Sequence, residues 1–297
     1  MSIKNKTIEI FNKTNHPFFL KKDQIIGSLE FVNTVHFNAT ISPKVSKNKE
    51  GVWYENIKMG YLTETDRNRL LQFLFKHESI FAKSLEELGT TDVLTHEIIT
   101  KDNCPVAKRP YRLEHSKREA MNKIIGELLS ANIIEESTSP YSAPALLVKK
   151  SDDSERLVID YRALNEKIVQ ENTFNLNVND VFDFLFGKKY FSTLDLKSGY
   201  YQIKMAEEHK EKTAFSTHTN HYQFLKCPMG LKNAPSTFQR LMIKVLGKLQ
   251  FQCVAVFLDD ILIASPTLEK HFEDLRKVFE CLEKAKLRLH PSKCFFF

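Results

Sequence analysis

Three carboxylates stand where they could hold divalent cations. Asp259 and Asp260 interrupt the apolar stretch Cys253–Ala264, with a strand-length run on either side. Strand, tight turn and strand would put the pair at the tip of a hairpin. Asp is a common turn residue, so a plain turn also accounts for the pair. The flanking runs are nonetheless apolar enough to bury such a hairpin, and adjacent carboxylates repel unless a cation compensates them. Asp195 ends another strand-like run, Phe191–Leu196, just before Gly199. An Asp at a strand end beside an Asp-Asp hairpin supplies oxygen ligands for two Mg²⁺ ions, which stabilise the attacking and leaving oxygens of a phosphoryl transfer together. Spacing alone leaves both readings open, because nothing in it brings Asp195 to the hairpin.

The elements that must position these groups are mixed in type. Strand-like runs at Leu157–Ile159, Phe191–Leu196, Gln202–Met205, Tyr222–Leu225 and Val254–Ala264 are interleaved with helical stretches. A helix is expected from about Thr63 to Phe75. Another follows Ser116-Lys-Arg-Glu119, whose spacing is that of a capping box, and carries the stripe Met121, Ile124, Ile125, Leu128 and Leu129. Pro235 suits the first turn of a third helix, and a fourth spans about Leu268–Lys286. Without a regular βαβ alternation, the class is α+β. Residues 1–45 read as short β-rich segments, too small to bury a core alone. Residues 46–92 read as a polar linker and one helix, and residues 93–297 as the main domain.

Composition limits the function classes. Hydrophobic residues at 42% and charged residues at 27% exclude a disordered or fibrous chain, and Phe at 23 against Gly at 9 favours a large aromatic core. A net charge of +6 suits a polyanionic partner without requiring one. Five cysteines with no Cys-x-x-Cys spacing argue against paired disulfides and a thiolate zinc site, and read as buried thiols in a reducing compartment. No histidine shows a metal-ligand rhythm; His218 and His221 flank an expected turn. No apolar leader and no run of about 18 apolar residues occur, so no membrane association is expected.

Five ordered blocks then carry a specific resemblance. Arg156-Leu-Val-Ile-Asp160-Tyr-Arg162-Ala-Leu-Asn165 and Tyr190-Phe-Ser-Thr-Leu-Asp195-Leu-Lys-Ser-Gly-Tyr200-Tyr-Gln-Ile203 come first. Lys212-Thr-Ala-Phe215, Met229-Gly-Leu-Lys-Asn-Ala-Pro235-Ser-Thr-Phe238 and Phe257-Leu-Asp-Asp260-Ile-Leu262 follow. In order and spacing they resemble the reverse transcriptase of gypsy-type LTR retrotransposons. Upstream, Arg109-Pro-Tyr-Arg112, Ile133-Ile-Glu135 and Ser139-Pro-Tyr-Ser-Ala-Pro144 match as well. The resemblance covers about residues 93–297.

It implies a right-hand polymerase fingers and palm, preceded by a remnant of the stretch downstream of a protease, with no protease triplet present. Asp195, Asp259 and Asp260 would be the catalytic, metal-binding aspartates, with the backbone carbonyl of Leu196 as a further ligand of two Mg²⁺ ions, for which Mn²⁺ could substitute. Lys149 resembles the fingers lysine that meets the incoming triphosphate, although its neighbour Lys150 leaves the register open by one. Arg156 resembles its phosphate-binding partner. Tyr200 resembles the steric gate that crowds a ribose 2′-OH, and Met229 is expected near nucleotide and template. The implied partners are an RNA or DNA template with its primer and a dNTP.

Phe257 stands where retroviral relatives carry Tyr. Glu155 replaces the usual Trp and sets a negative charge beside Arg156. The resemblance ends at Phe297 without thumb or RNase H, which are expected in the full polyprotein. Phe295, Phe296 and Phe297 are expected to be exposed. The implied location is intracellular: cytoplasmic, in a virus-like particle, or nuclear. Two alternatives stay open, a truncated or domesticated copy that binds nucleic acid without polymerising, and an unrelated metal-dependent phosphotransferase.

Overall fold

In the computed structural model the chain divides into two units, Met1–Ser46 and Lys47–Phe297. The residues described are 54, 57–149, 153–172, 178–257 and 260–297, all within the second unit. The β-rich reading of residues 1–45 lies outside them, and so does Asp259.

The described part opens with β1 (Lys58–Met59), α1 (Glu64–Lys76), β2 (Thr91–His96) and α2 (His115–Ser130). Strands β3 (Ile134–Glu136), β4 (Ala143–Lys149) and β5 (Glu155–Ile159) lead into α3 (Arg162–Lys167) and α4 (Val178–Leu185). Next come β6 (Tyr190–Asp195), β7 (Ile203–Met205), β8 (Phe215–Ser216), β9 (His221–Phe224) and α5 (Ala234–Leu246). The last elements are β10 (Val254–Phe257), β11 (Asp260–Ser265), α6 (Leu268–Lys284) and β12 (Phe295–Phe296). The class is α+β, as the mixed sequence pattern implies.

Two five-stranded sheets organise these elements. One has the order β1-β12-β6-β11-β10, the other β3-β9-β8-β4-β5, and a small parallel pair β2-β7 lies apart from both. The first sheet explains why the sequence around the Asp pair is so apolar. Ile261 and Ile263 join the main core with Phe272, Leu275 and Phe279 of α6, while Ala255 and Ala264 join a smaller cluster with Phe184 of α4. A strand covered on both faces cannot alternate polar and apolar residues, so it reads as a continuous hydrophobic run.

Local chemistry accounts for the helix ends. The Thr63 hydroxyl accepts from the Asp66 backbone N–H and starts α1. Thr267 accepts from Lys270 N–H in the same way at α6, and Pro235 occupies the first turn of α5. The capping box expected at Ser116 is not formed. Helix α2 already begins at His115 behind Glu114, without a side-chain cap bond, so Ser116 is inside the helix, where its hydroxyl has no entry N–H to satisfy. Residues 57–92, read from sequence as linker and helix, contribute Ile57, Leu70, Leu74, Ile80 and Phe81 to the same core as the strands.

The phenylalanine-rich end also departs from expectation. Phe296 is fully buried, because β12 lies between β1 and β6 as an inner strand of the sheet. The Phe297 ring sits 4.8 Å from His271 and 5.2 Å from Phe272. Of the cysteines, Cys227, Cys253 and Cys294 are buried as expected, Cys281 is half-buried, and Cys104 is exposed. Among the described residues no helix is long and apolar enough to cross a membrane.

Beneath the first sheet runs a directional polar chain. Ser265 Oγ donates to Asp274 Oδ2 at 2.8 Å, so it accepts from His271 Nδ1–H at 3.0 Å. His271 Nε2 is then left as the acceptor for Ser192 Oγ at 2.8 Å, and Ser192 Oγ in turn accepts from the Phe297 N–H at 3.3 Å. This arrangement requires a neutral imidazole.

Candidate active site

Strand pairing brings together two of the three carboxylates. In the antiparallel ladder between β6 and β11, Asp195 lies directly opposite Asp260, and Asp260 lies opposite Phe257 across the β10–β11 hairpin. Opposed residues of an antiparallel pair project to the same face with Cβ atoms roughly 5 Å apart. Two anions so placed are destabilising unless something positive stands between or beside them. Lys293 supplies one such charge, its ammonium 3.3 Å from Asp195 Oδ2. The donor set, hard carboxylate oxygens already drawing a cation, fits Mg²⁺ or Mn²⁺. Among the described residues no third His, Cys, Asp or Glu side chain completes a metal cluster; the remaining candidate, Asp259, lies outside them.

The backbone around Asp195 is pinned from the other side. Its carbonyl accepts from the His290 N–H at 2.8 Å, and Leu196 bridges to Leu289. The chain then turns sharply through Ser198, at φ 46° and ψ 53°, a left-handed conformation costing a non-glycine residue about 1–2 kcal/mol. Gln202 holds that turn in place. Fully buried, it donates from Nε2 to the carbonyls of Lys197 and Arg288, both at 2.8 Å, and accepts from the Arg288 N–H at 2.7 Å. Gln202→Leu keeps the volume but leaves a buried donor and acceptor unpaired. We expect it to cost about 2–4 kcal/mol in urea unfolding; a loss below about 0.5 kcal/mol would show that the turn stands without the amide.

A cavity of about 640 Å³ opens beside Asp195, lined by Leu196, Tyr200, Met229, Phe238 and Lys293 among others. A second, of about 190 Å³, shares Met229 and is lined by Arg156 and Tyr201. Burial pushes the Tyr201 phenol up to about 12, with nearby Arg156 pulling the other way. Met229 is therefore the common wall of both cavities, and its loop is clamped by two asparagines. Asn165 donates to the Gly230 carbonyl and accepts from the Lys232 N–H, both at 2.8 Å. Asn233 donates to the Val169 carbonyl at 2.8 Å and accepts from the Glu171 N–H at 3.3 Å.

The β4–β5 hairpin separates the two phosphate candidates. Val148 opposes Arg156 and Lys149 opposes Glu155, so the pleat sends Arg156 and Lys149 to opposite faces. Lys149 is exposed and pairs with Asp153 at 3.7 Å, whereas Arg156 faces the smaller cavity. Arg162 grips Asp160 with two parallel bonds, Nε to Oδ1 at 2.8 Å and a terminal nitrogen to Oδ2 at 2.7 Å. That guanidinium, helped by the Tyr111 hydroxyl, holds the Asp160 carboxyl well below the usual range.

Residues 148–297, half of the chain, match the family model described as reverse transcriptase (RNA-dependent DNA polymerase). The chain belongs to the reverse transcriptase family. Its relatives include the retrovirus-related Pol polyprotein from transposon 297 of Drosophila melanogaster, 32% identical over 304 residues, covering 100% of this chain and 28% of that protein. The Pol polyprotein from transposon gypsy of the same organism is 36% identical over 230 residues, covering 75% and 22%. Among solved structures, the prototype foamy virus protease-reverse transcriptase superposes with a TM-score of 0.74 at 25% identity, over 82% of this chain and 33% of that one. A foamy viral protease-reverse transcriptase in complex with an RNA/DNA hybrid gives 0.73 at 23% identity, over 82% and 32%. The chain thus spans about a quarter to a third of the proteins it most resembles here.

The fold is of the polymerase palm-and-fingers type. Several residues of this reverse transcriptase site were not singled out by sequence reasoning. Lys293 and His290 sit about a hundred residues from Asp195 in sequence, and the β6–β12 pairing and the Leu196–Leu289 bridge bring them to it. Gln202, Asn165 and Asn233 lie inside the recognised blocks, but their partners are backbone atoms, which leave no sequence signal.

Proposed function

We propose that this chain is the fingers and palm of an LTR-retrotransposon reverse transcriptase, an RNA-directed DNA polymerase that copies an RNA or DNA template by adding dNMP to a primer 3′-OH. The observation that carries the reading is that Asp195, which lines a cavity walled by Tyr200 and Met229, lies in register with Asp260. The Pol polyproteins and the foamy virus enzyme it resembles support it. So does the intact pairing, which gives no sign of a copy decayed into a mere nucleic-acid binder.

In this reading Asp195, Asp259 and Asp260, with the Leu196 carbonyl, would hold two Mg²⁺ ions, which would supply charge neutralisation at the triphosphate and favour the ionised primer hydroxyl. The primer oxygen attacks the α-phosphorus in line, the bond to the bridging oxygen breaks, pyrophosphate departs and the hydroxyl proton passes to solvent. The protein contributes position and charge, not a nucleophile. The Tyr200 ring bounds the sugar side of the cavity, Met229 the template side, and Arg156 and Lys149 contribute positive charge from the fingers.

The direct test is extension of a DNA primer on an RNA template with dNTPs and Mg²⁺. Template-dependent extension, lost on chelation, supports the proposal; tight hybrid binding without any extension favours the non-polymerising alternative. Binding should also weaken steeply with salt. If the hybrid is held through six or more phosphate contacts, affinity falls by about a thousandfold or more between 50 and 200 mM salt. A flat dependence in a fluorescence-anisotropy titration would rule out that mode of binding.

A further inference from the structure

We propose that Phe238 of α5 positions the Tyr200 ring, and through it sets the preference for deoxyribose over ribose. The proposal rests on the reading of Tyr200 as the wall that meets the sugar. Both rings line the cavity beside Asp195, and their centroids are 5.4 Å apart at 54°. Phe238 is 2% exposed, so its ring has no solvent to retreat into. Helix α5 is itself tied down next to it, since Thr237 Oγ1 is bonded to the buried His96 Nδ1 at 2.8 Å.

Gly199 makes this contact so close. A Cβ at Gly199 would lie 2.7 Å from Phe238 Cε2, closer than carbon atoms tolerate, and in tight contact with Leu196 Cβ at 3.3 Å. The turn that carries Tyr200 is thus pressed onto the Phe238 ring at a spot where only a hydrogen fits. Tyr200 follows Gly199 directly in the short 3₁₀ turn Gly199–Gln202, so any shift of that contact moves the Tyr200 ring. Packed interiors transmit such shifts instead of absorbing them. A gate that discriminates by sterics responds to displacements of a fraction of an ångström, because repulsion rises steeply with overlap. Phe238 touches no reacting atom in this reading; it acts through Tyr200 alone.

The experiment is single-nucleotide incorporation with matched dNTP and rNTP on one primer–template, read as the ratio of their efficiencies. Tyr200→Ala should lower the dNTP preference by at least about tenfold. Phe238→Leu should lower it about fivefold, an effect of about 1 kcal/mol by the standard conversion, while changing the unfolding midpoint in the same way whichever nucleotide is present. Gly199→Ala, which leaves Phe238 intact, should also move the ratio, and it keeps the proposal testable if Phe238→Leu does not fold. In the double variant the ratio should return toward that of Phe238→Leu alone, because leucine lacks the Cε2 atom that the new Cβ would strike. If Phe238→Leu and Gly199→Ala slow both nucleotides by the same factor while Tyr200→Ala shifts the ratio, the gate stands and the positioning role is overturned. If Tyr200→Ala leaves the ratio unchanged, the gate reading itself has failed and the positioning role falls with it.

Discussion

Replacing Asp195 by Asn should lower nucleotide addition by at least about a thousandfold, comparable to deleting one strong transition-state contact, while nucleic-acid affinity hardly changes. The substitution is nearly isosteric, and the backbone bond from His290 N–H to the Asp195 carbonyl does not involve the side chain, so the β6–β11 ladder should persist. What disappears is one of two facing negative charges, and with it the reason for a divalent cation to reside there. The same loss is expected for Asp260→Asn, and the double variant should be scarcely worse, since residues acting as one unit are not additive. Lys293→Ala makes the contrast within the same site. Its ion pair with Asp195 is 61% exposed on the lysine side, so it should contribute little to stability. Measured by pre-steady-state single-turnover extension, an Asp195→Asn rate above about a tenth of the parent would overturn the assignment of this carboxylate.

The elements that hold this site were legible where one physical signal dominated. Continuous apolar runs marked β10 and β11 because both faces of that sheet are covered, and Pro235 and the stripe of α2 marked helices by a first-turn proline and by periodicity. Resemblance to a family named Asp195, Tyr200 and Arg156, but the proximity of Asp195 to Asp260 is a matter of register, which no sequence spacing encodes. The end of the chain shows the opposite failure. Three phenylalanines in a row look like an exposed patch until β12 is seen between β1 and β6, a pairing across more than two hundred residues. The capping box at Ser116 fails for a smaller reason: a helix that starts two residues early turns an N-cap hydroxyl into an ordinary interior one. Lys149 and Arg156 are a matter of parity. Seven residues apart in sequence, they straddle a hairpin whose pairing puts them on opposite faces.

Stability should fall steeply as pH drops from about 6.5 toward 4, driven by two buried histidines. Burial, with Arg240 and His209 adding to it, lowers His96 from the ordinary 6.5 to about 4. Burial likewise lowers His271 to about 4, against a smaller opposing pull from the Asp274 carboxylate. His96 is 1% exposed and His271 fully buried. In the folded chain both stay neutral down to about pH 4, whereas unfolded they take up protons below 6.5. Between those values the unfolded state binds more protons, so stability decreases as pH falls. Each histidine is worth about 3 kcal/mol over that window, and the decline should level off once the folded forms also titrate. Protonation of His271 would also break the bond from Ser192 Oγ to Nε2, which a protonated ring cannot accept. His271→Gln removes one titrating group. The variant can be less stable at pH 7, yet the slope of its unfolding free energy between pH 6 and 4.5 should be smaller than the parent's by up to about one proton. Urea titrations of both proteins across this range measure that difference. Parallel curves would mean that His271 takes up its proton equally in the folded state, with Nε2–H donating to Ser192 Oγ while Ser265 still donates to Asp274.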